Sequence, residues 1–130
     1  MSNITITHHG IVDYVYGLEL QRDLHCKVSE GILPEQLLLL EHPHIYTLGR
    51  LGKDPDILLN KAELSELGIQ THRTDRGGQV TYHGPGQLVG YPIVNLRRLG
   101  WGPLQYVRAL EKSLISTLAK YFVNGKTANM

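Results

Sequence analysis

Apolar and polar residues alternate over Ile4-Thr5-Ile6-Thr7, the period of a strand with one covered face. Gly10 then punctuates the pattern. From Asp13, a plausible N-cap, the spacing turns helical. Gly17, Leu20, Leu24 and Val28 recur on one stripe, which predicts a helix from Asp13 to about Val28, stopped by Gly31 and Pro34. Gln36-Leu-Leu-Leu-Leu-Glu41 is a short apolar run between turn residues and suits a strand buried on both faces, although periodicity alone does not separate it from helix. After His42-Pro43-His44, Ile45 to Leu48 reads as a strand closed by Gly49, and Leu51 to Leu59 as loop. Asn60 caps a short predicted helix, Lys61 to Leu67, ended by Gly68. Ile69 to Thr74 and Leu88 to Leu96 are strand-like, and Pro92 places the latter at an edge or a bulge. Pro103 opens a long helix whose stripe is Val107, Leu110, Leu114, Leu118 and Tyr121, with Asn124-Gly125 as its end. Interleaved strands and helices without repeats predict an α/β or α+β sheet domain. That helix should return the chain to the sheet, yet no strand-like segment follows it.

Composition narrows the function. A chain of 130 residues fits one domain. The formal net charge is +1, from 13 basic and 12 acidic residues, without the basic excess that nucleic-acid binding uses to displace counterions. The single cysteine, Cys26, excludes an internal disulfide scaffold. Met1 to His9 lacks the basic start and apolar run of a signal peptide, and the longest apolar run, Leu37 to Leu40, is far too short to span a bilayer. A cytoplasmic protein without membrane or nucleic-acid partners is the expectation.

The densest chemistry lies in Arg76-Gly-Gly-Gln-Val-Thr-Tyr-His-Gly-Pro-Gly-Gln87. Gly77 and Gly78 permit positive φ and close approach of a ligand. Successive amide N–H groups in such a turn form an anion or carbonyl cradle, and Arg76 adds a donor fork. Thr81, Tyr82 and His83 alternate as a short strand does, so Thr81 and His83 share a face. The competing reading is a glycine-rich hairpin with incidental polar residues. The segment has neither the dinucleotide fingerprint nor the phosphate-loop ending.

Arg76 to Pro92, Arg-Gly-Gly-Gln-Val-Thr-Tyr-His-Gly-Pro-Gly-Gln-Leu-Val-Gly-Tyr-Pro, resembles the signature of the octanoyltransferases, the lipoate-protein ligase B family. Leu38 to Arg50, Leu-Leu-Leu-Glu-His-Pro-His-Ile-Tyr-Thr-Leu-Gly-Arg, looks like a second signature of that family, and Gln21 fits its pattern. The resemblance runs to about Phe122. It implies the α/β catalytic-domain fold of biotin and lipoate protein ligases, a mixed sheet with flanking helices. It implies transfer of an octanoyl group from octanoyl-acyl carrier protein to a lysine of a lipoyl domain, in 2-oxoacid dehydrogenases and the glycine cleavage H protein, without ATP or another cofactor. The acyl-substrate residues it implies are Arg76, Gly77, Gly78, Gln79, Val80, Thr81, Tyr82 and His83.

The family works through a cysteine thioester with a lysine nearby that lowers the thiol pKa. Its lysine follows a Thr-Gly-Val-Trp strand and its cysteine sits in a Pro-Cys-Gly turn; neither motif occurs in these 130 residues. Cys26 lies about 200° around the helix from Leu24, away from the apolar stripe, and Lys126 lacks the family's context. A truncated octanoyltransferase, half of a split enzyme, and a non-catalytic acyl- or carrier-binding module all fit, and in each case the chain alone is expected to be inactive. An ATP-dependent ligase fits poorly, because Tyr82-His-Gly-Pro-Gly-Gln87 differs from the ligases' glycine signature. With no strands to follow, Leu37 to Leu40 and the last helix are expected to lie partly uncovered. His42 and His44 present either a zinc site or turn histidines at a strand junction. Arg97, Arg98 and Arg108 read as a solvated basic face or a dock for an acidic carrier. Tyr14, Tyr16, Tyr46 and Tyr106 are expected in or beside the core.

Overall fold

The computed structural model describes residues 3–128. They group into two compact units, Met1–Ile93 and Val94–Met130.

The first unit carries two three-stranded mixed sheets. In one, β1 (Ile4–Ile11) runs parallel to β2 (Glu35–Glu41), which is antiparallel to β6 (Val89–Ile93). In the other, β3 (Ile45–Leu48) is parallel to β4 (Gln70–Arg73) and antiparallel to β5 (Val80–His83). Helix α1 (Tyr14–Ser29) packs on the first sheet, and α2 (Lys61–Glu66) precedes β4. The expected single mixed sheet is thus two, because His42-Pro43-His44 breaks the chain between β2 and β3. Pro92 lies on β6 at a sheet edge among the described residues, where a missing N–H leaves no gap in the ladder.

Strand β1 outruns the alternating segment. Gly10 at φ 66° accompanies a register shift between His8 and Ile11, after which Ile11 pairs with Glu41; the irregularity lets pairing resume beyond the glycine. Asp13 caps α1, its Oδ1 accepting from the Val15 and Tyr16 amides. The α1 stripe meets the sheet as its spacing predicts. Val12, Val28, Leu38, Leu40 and Ile93 form the buried core, with Leu20, Leu24, Leu33, Val89 and Tyr91 packed against it.

Leu38 and Leu40 are 1% and 2% exposed, so these two are not left uncovered; burial of each such side chain contributes about 2 kcal/mol. Only one face of β2 is fully buried, however. Leu37 and Leu39 are half-buried, and Ile4 and Ile6, on the same face by register, are exposed. Tyr14 is buried and Tyr46 half-buried as expected, whereas Tyr16 is 59% exposed. At 100° per residue Tyr14 and Tyr16 lie about 160° apart, on opposite flanks of the α1 stripe, and the flank that sets Tyr14 against His42 and His72 turns Tyr16 away from them.

In the second unit, α3 (Leu96–Leu99) was not legible as a helix; Asn95 caps it through the Arg98 amide. Helix α4 (Pro103–Lys120) begins at its proline as expected but ends before Asn124. The Phe122 and Val123 amides bond the Ala119 and Leu118 carbonyls, a Schellman ending with Phe122 in the glycine-favouring place at φ 61°. The α4 stripe is exposed at Val107, Leu110, Leu114 and Leu118. Tyr106 is half-buried, and burial raises its pKa. No helix among the described residues is long and apolar enough to cross a membrane.

Candidate functional site

The glycine-rich segment is joined to the turn after β3. The amides of Gly49, Arg50 and Leu51 donate to the carbonyls of Gln79, Arg76 and Gly78 at 2.7, 3.0 and 3.0 Å. The two signature segments of the sequence are therefore one local structure. Gly49 is required there. A Cβ at Gly49 would lie 2.5 Å from the Gly78 carbonyl oxygen, 2.7 Å from that of Gly77 and 2.9 Å from the Arg76 guanidinium. Gly78 has φ 82°; Gly77 does not need positive φ.

Arg76 turns inward. Its Nη2 donates to the Thr47 carbonyl at 2.8 Å, Thr47 Oγ1 at 2.9 Å and the Gln79 carbonyl at 3.1 Å, and Nη1 donates to the Gly77 carbonyl at 2.9 Å. The guanidinium thus shapes the loop, with much of its donor capacity spent on the chain itself. Thr47 is fully buried, and its role was not legible in the sequence. With the loop carbonyls of Arg76, Gly77, Gly78 and Gln79 engaged, the amides of Gly77, Gly78 and Gln79 donate to no acceptor among the described residues.

Register divides the four expected residues on β5 between two faces. Thr81 pairs with Thr47 and His83 with Ile45, while His72 pairs with Thr47 from the other side; directly paired residues share a face. Thr81 and His83 therefore lie with Thr47 and His72, as the alternation predicted. Val80 and Tyr82 lie on the opposite face with Leu48 and Tyr46. Tyr82 Oη contacts His44 Nδ1 at 2.6 Å, and its ring sits 5.6 Å from that of Tyr46. A recess of about 460 Å³ is lined by Leu48, Ile57, Leu64, Thr71, His72 and Arg73 among others and by none of Arg76 to His83.

His83 joins a cluster of rings from five segments, with Tyr14, His42, His72 and Tyr91. Tyr14 is 5.1 Å from His42, 5.2 Å from His72 and stacked 6.5 Å from His83. His42 is fully buried, far from an incidental turn histidine. Its Nδ1 donates to the Val12 carbonyl at 2.7 Å, and Tyr91 Oη donates to its Nε2 at 2.7 Å. This assigns the tautomer, since a carbonyl only accepts. Burial, with Tyr14 adding to it and Gln21 opposing, pushes the Tyr91 phenol up to about 12. Burial lowers the His42 pKa against the pull of the Val12 carbonyl, and raises that of Tyr14, where Arg76 opposes and Asp75 adds to the shift. Among the described residues, no three or more His, Cys, Asp or Glu side chains gather where they could hold a metal ion.

A family model for the lipoyl protein ligase A/B catalytic domain matches residues 13–129. The chain belongs to this family. The match takes in both joined segments and the helix and strands that carry the ring cluster. The chain is similar to the octanoyltransferase of Chloroflexus aggregans, 44% identical over 99% of this chain and 58% of that one. It is also similar to the octanoyltransferase of Solibacter usitatus, 47% identical over 93% of this chain and 55% of that one. The mitochondrial octanoyltransferase LIP2 of Arabidopsis thaliana is 40% identical over 92% of this chain and 51% of its own length. The chain spans about half the length of the curated relatives it matches. The family accounts for the mixed α+β architecture.

Cys26 is exposed on α1, as its place on the helix predicts. Cys26→Ser is expected to change stability by no more than about 0.5 kcal/mol, read as an unshifted urea midpoint; a larger loss would show that the thiol packs.

Proposed function

We propose that the whole protein is a cytoplasmic octanoyltransferase. It moves an octanoyl group from octanoyl-acyl carrier protein to the lysine ε-amine of lipoyl domains in 2-oxoacid dehydrogenases and the glycine cleavage H protein, without ATP. Residues 1–130 supply the N-terminal portion of one ligase-like transferase domain and, within it, the acyl-substrate loop Arg76 to His83. The observation that carries this reading is the joined loop. Arg76 and the Gly49–Leu51 amides hold every carbonyl of its first turn, which leaves the Gly77, Gly78 and Gln79 amides to meet a carbonyl or thioester oxygen. Thr81 and His83 continue the same wall.

The reacting groups are another matter. The resemblance assigns them to a Pro-Cys-Gly turn and a lysine motif that these 130 residues do not contain, and Cys26 is on an exposed helix face. This favours, for the 130 residues taken alone, a binding role without turnover. Two measurements on the 130-residue polypeptide test the reading. Incubated with octanoyl-acyl carrier protein and apo lipoyl domain, it is expected to give no transfer above a control without protein; turnover would show that its own residues suffice. Titrated with octanoyl-pantetheine, its largest amide shifts are expected at Gly77, Gly78, Gln79 and Thr81. Shifts centred on the recess beside Arg73 instead would overturn the placement.

A further inference from the structure

His83 is followed by a turn whose geometry reaches back to it. Gly84-Pro85-Gly86-Gln87 has proline at the second position, glycine at φ 89° at the third, and the Gln87 amide bonded to the Gly84 carbonyl at 3.1 Å, the pattern of a type II turn. The Gly86 amide also bonds the Glu41 carboxylate, which ties the turn to the end of β2. So anchored, the turn brings Gln87 Oε1 to 2.6 Å from His83 Nδ1. An amide oxygen only accepts, so the proton sits on Nδ1 and the lone pair on Nε2. His83 Nε2 bonds no described residue and is not buried. The rings packed near His83 are Tyr14 at 6.5 Å and His42 at 6.1 Å; His42 has both nitrogens occupied, so it does not compete for the Nε2 lone pair.

We infer that Gln87 is a positioning residue that holds His83 in the Nδ1–H form, so that His83 Nε2 accepts a proton from the incoming primary amine. This rests on the acyl-transfer reading above. In that step the amine nitrogen attacks the thioester carbonyl carbon, the C–N bond forms as the C–S bond breaks, the amine proton passes to Nε2, and the imidazolium returns it to the leaving thiolate. The lone pair must face the amine for this to occur, and a neutral histidine free in solution would not keep it there.

The lock is testable without substrate or turnover. Long-range proton–nitrogen spectra of the 130-residue chain, labelled at histidine and recorded above pH 8, are expected to show His83 with a protonated Nδ1 and an unprotonated Nε2. Gln87→Ala should move His83 to a tautomer mixture, and Gln87→Glu should keep the Nδ1–H form. A lysine-containing peptide should then shift the His83 Nε2 resonance, while the same peptide with acetyl-lysine should not. An Nε2–H tautomer in the unaltered chain, no response to Gln87→Ala, or no shift at Nε2 with the lysine peptide would each overturn the inference. Octanoyl-pantetheine binding is read separately on the loop amides, so failure of the acyl reading is distinguishable from failure of the lock.

Discussion

Gly49→Ala is expected to destabilise the Met1–Ile93 unit by about 3 kcal/mol or more, whereas Gly77→Ala, a few residues away in space, should cost no more than about 0.5 kcal/mol. The contrast follows from what each new methyl would meet. At Gly49 it would lie 2.5 and 2.7 Å from two backbone carbonyl oxygens, and backbone cannot swing aside as a side-chain end can. Relief requires the loop to withdraw, which breaks the three amide–carbonyl bonds from Gly49, Arg50 and Leu51, each contributing about 1 kcal/mol net. At Gly77 the nearest atom to an added Cβ is an Arg50 guanidinium nitrogen at 4.0 Å, and φ is not in the left-handed region. Urea unfolding with an unchanged m-value measures both. Equal midpoints for the two variants would show that the loop is not held on the β3 turn. The same Gly49 variant should also blunt the response of the Gly77 to Gln79 amides to octanoyl-pantetheine.

The second large effect is expected at His42. His42→Ala removes the imidazole that bonds both the Val12 carbonyl and the Tyr91 hydroxyl and leaves a hole beneath α1, where an added Cβ on Gly17 would lie only 3.2 Å from the imidazole. An unsatisfied buried carbonyl and the cavity together cost about 3–4 kcal/mol. The imidazole also makes stability depend on pH. Burial lowers its folded-state pKa, so the unfolded chain binds the proton more readily. The contribution is complete above the ordinary histidine pKa of about 6.5 and is lost as pH falls from there towards the depressed folded value. The groups facing the ring are Tyr14, Tyr91 and His83, with Asp13 favouring its protonated form; only the burial effect exceeds that of the Val12 carbonyl. A thermal midpoint that falls between pH 7 and 5, and falls less in His42→Gln, checks this. An equal fall in both would move the sensitivity to another group.

Much of this molecule could be read from the chain. The α1 stripe of Gly17, Leu20, Leu24 and Val28 met the sheet as spaced, because a helix that buries one face must repeat its apolar residues at that period. Capping at Asp13 and Asn60, the edge place of Pro92 and the proline start of α4 were equally local. The expected loop and its family were legible because glycines, a proline and polar residues seldom fall together in that order by composition alone. What failed was also informative. Helix α3 is four residues held by an Asn95 cap and carries too few positions to show a period. The left-handed Phe122 that ends α4 contradicts its own preference. Neither the division of Val80 to His83 between two sheet faces nor the inward turn of Arg76 could be read before β5 had a partner.

The sequence by itself determined the family, the two signature segments, and the order of the strands and of α1, α2 and α4. Those properties depend on residue type and short spacing, which a linear pattern records. Only the tertiary structure decided that the segments are one local structure. Thr47 and Arg76 are 29 positions apart, His42 and Tyr91 49 apart, and Glu41 and Gly86 45 apart. Hydrogen bonds across such separations depend on which strands pair and in what register, and those are set by the burial of faces belonging to several elements at once.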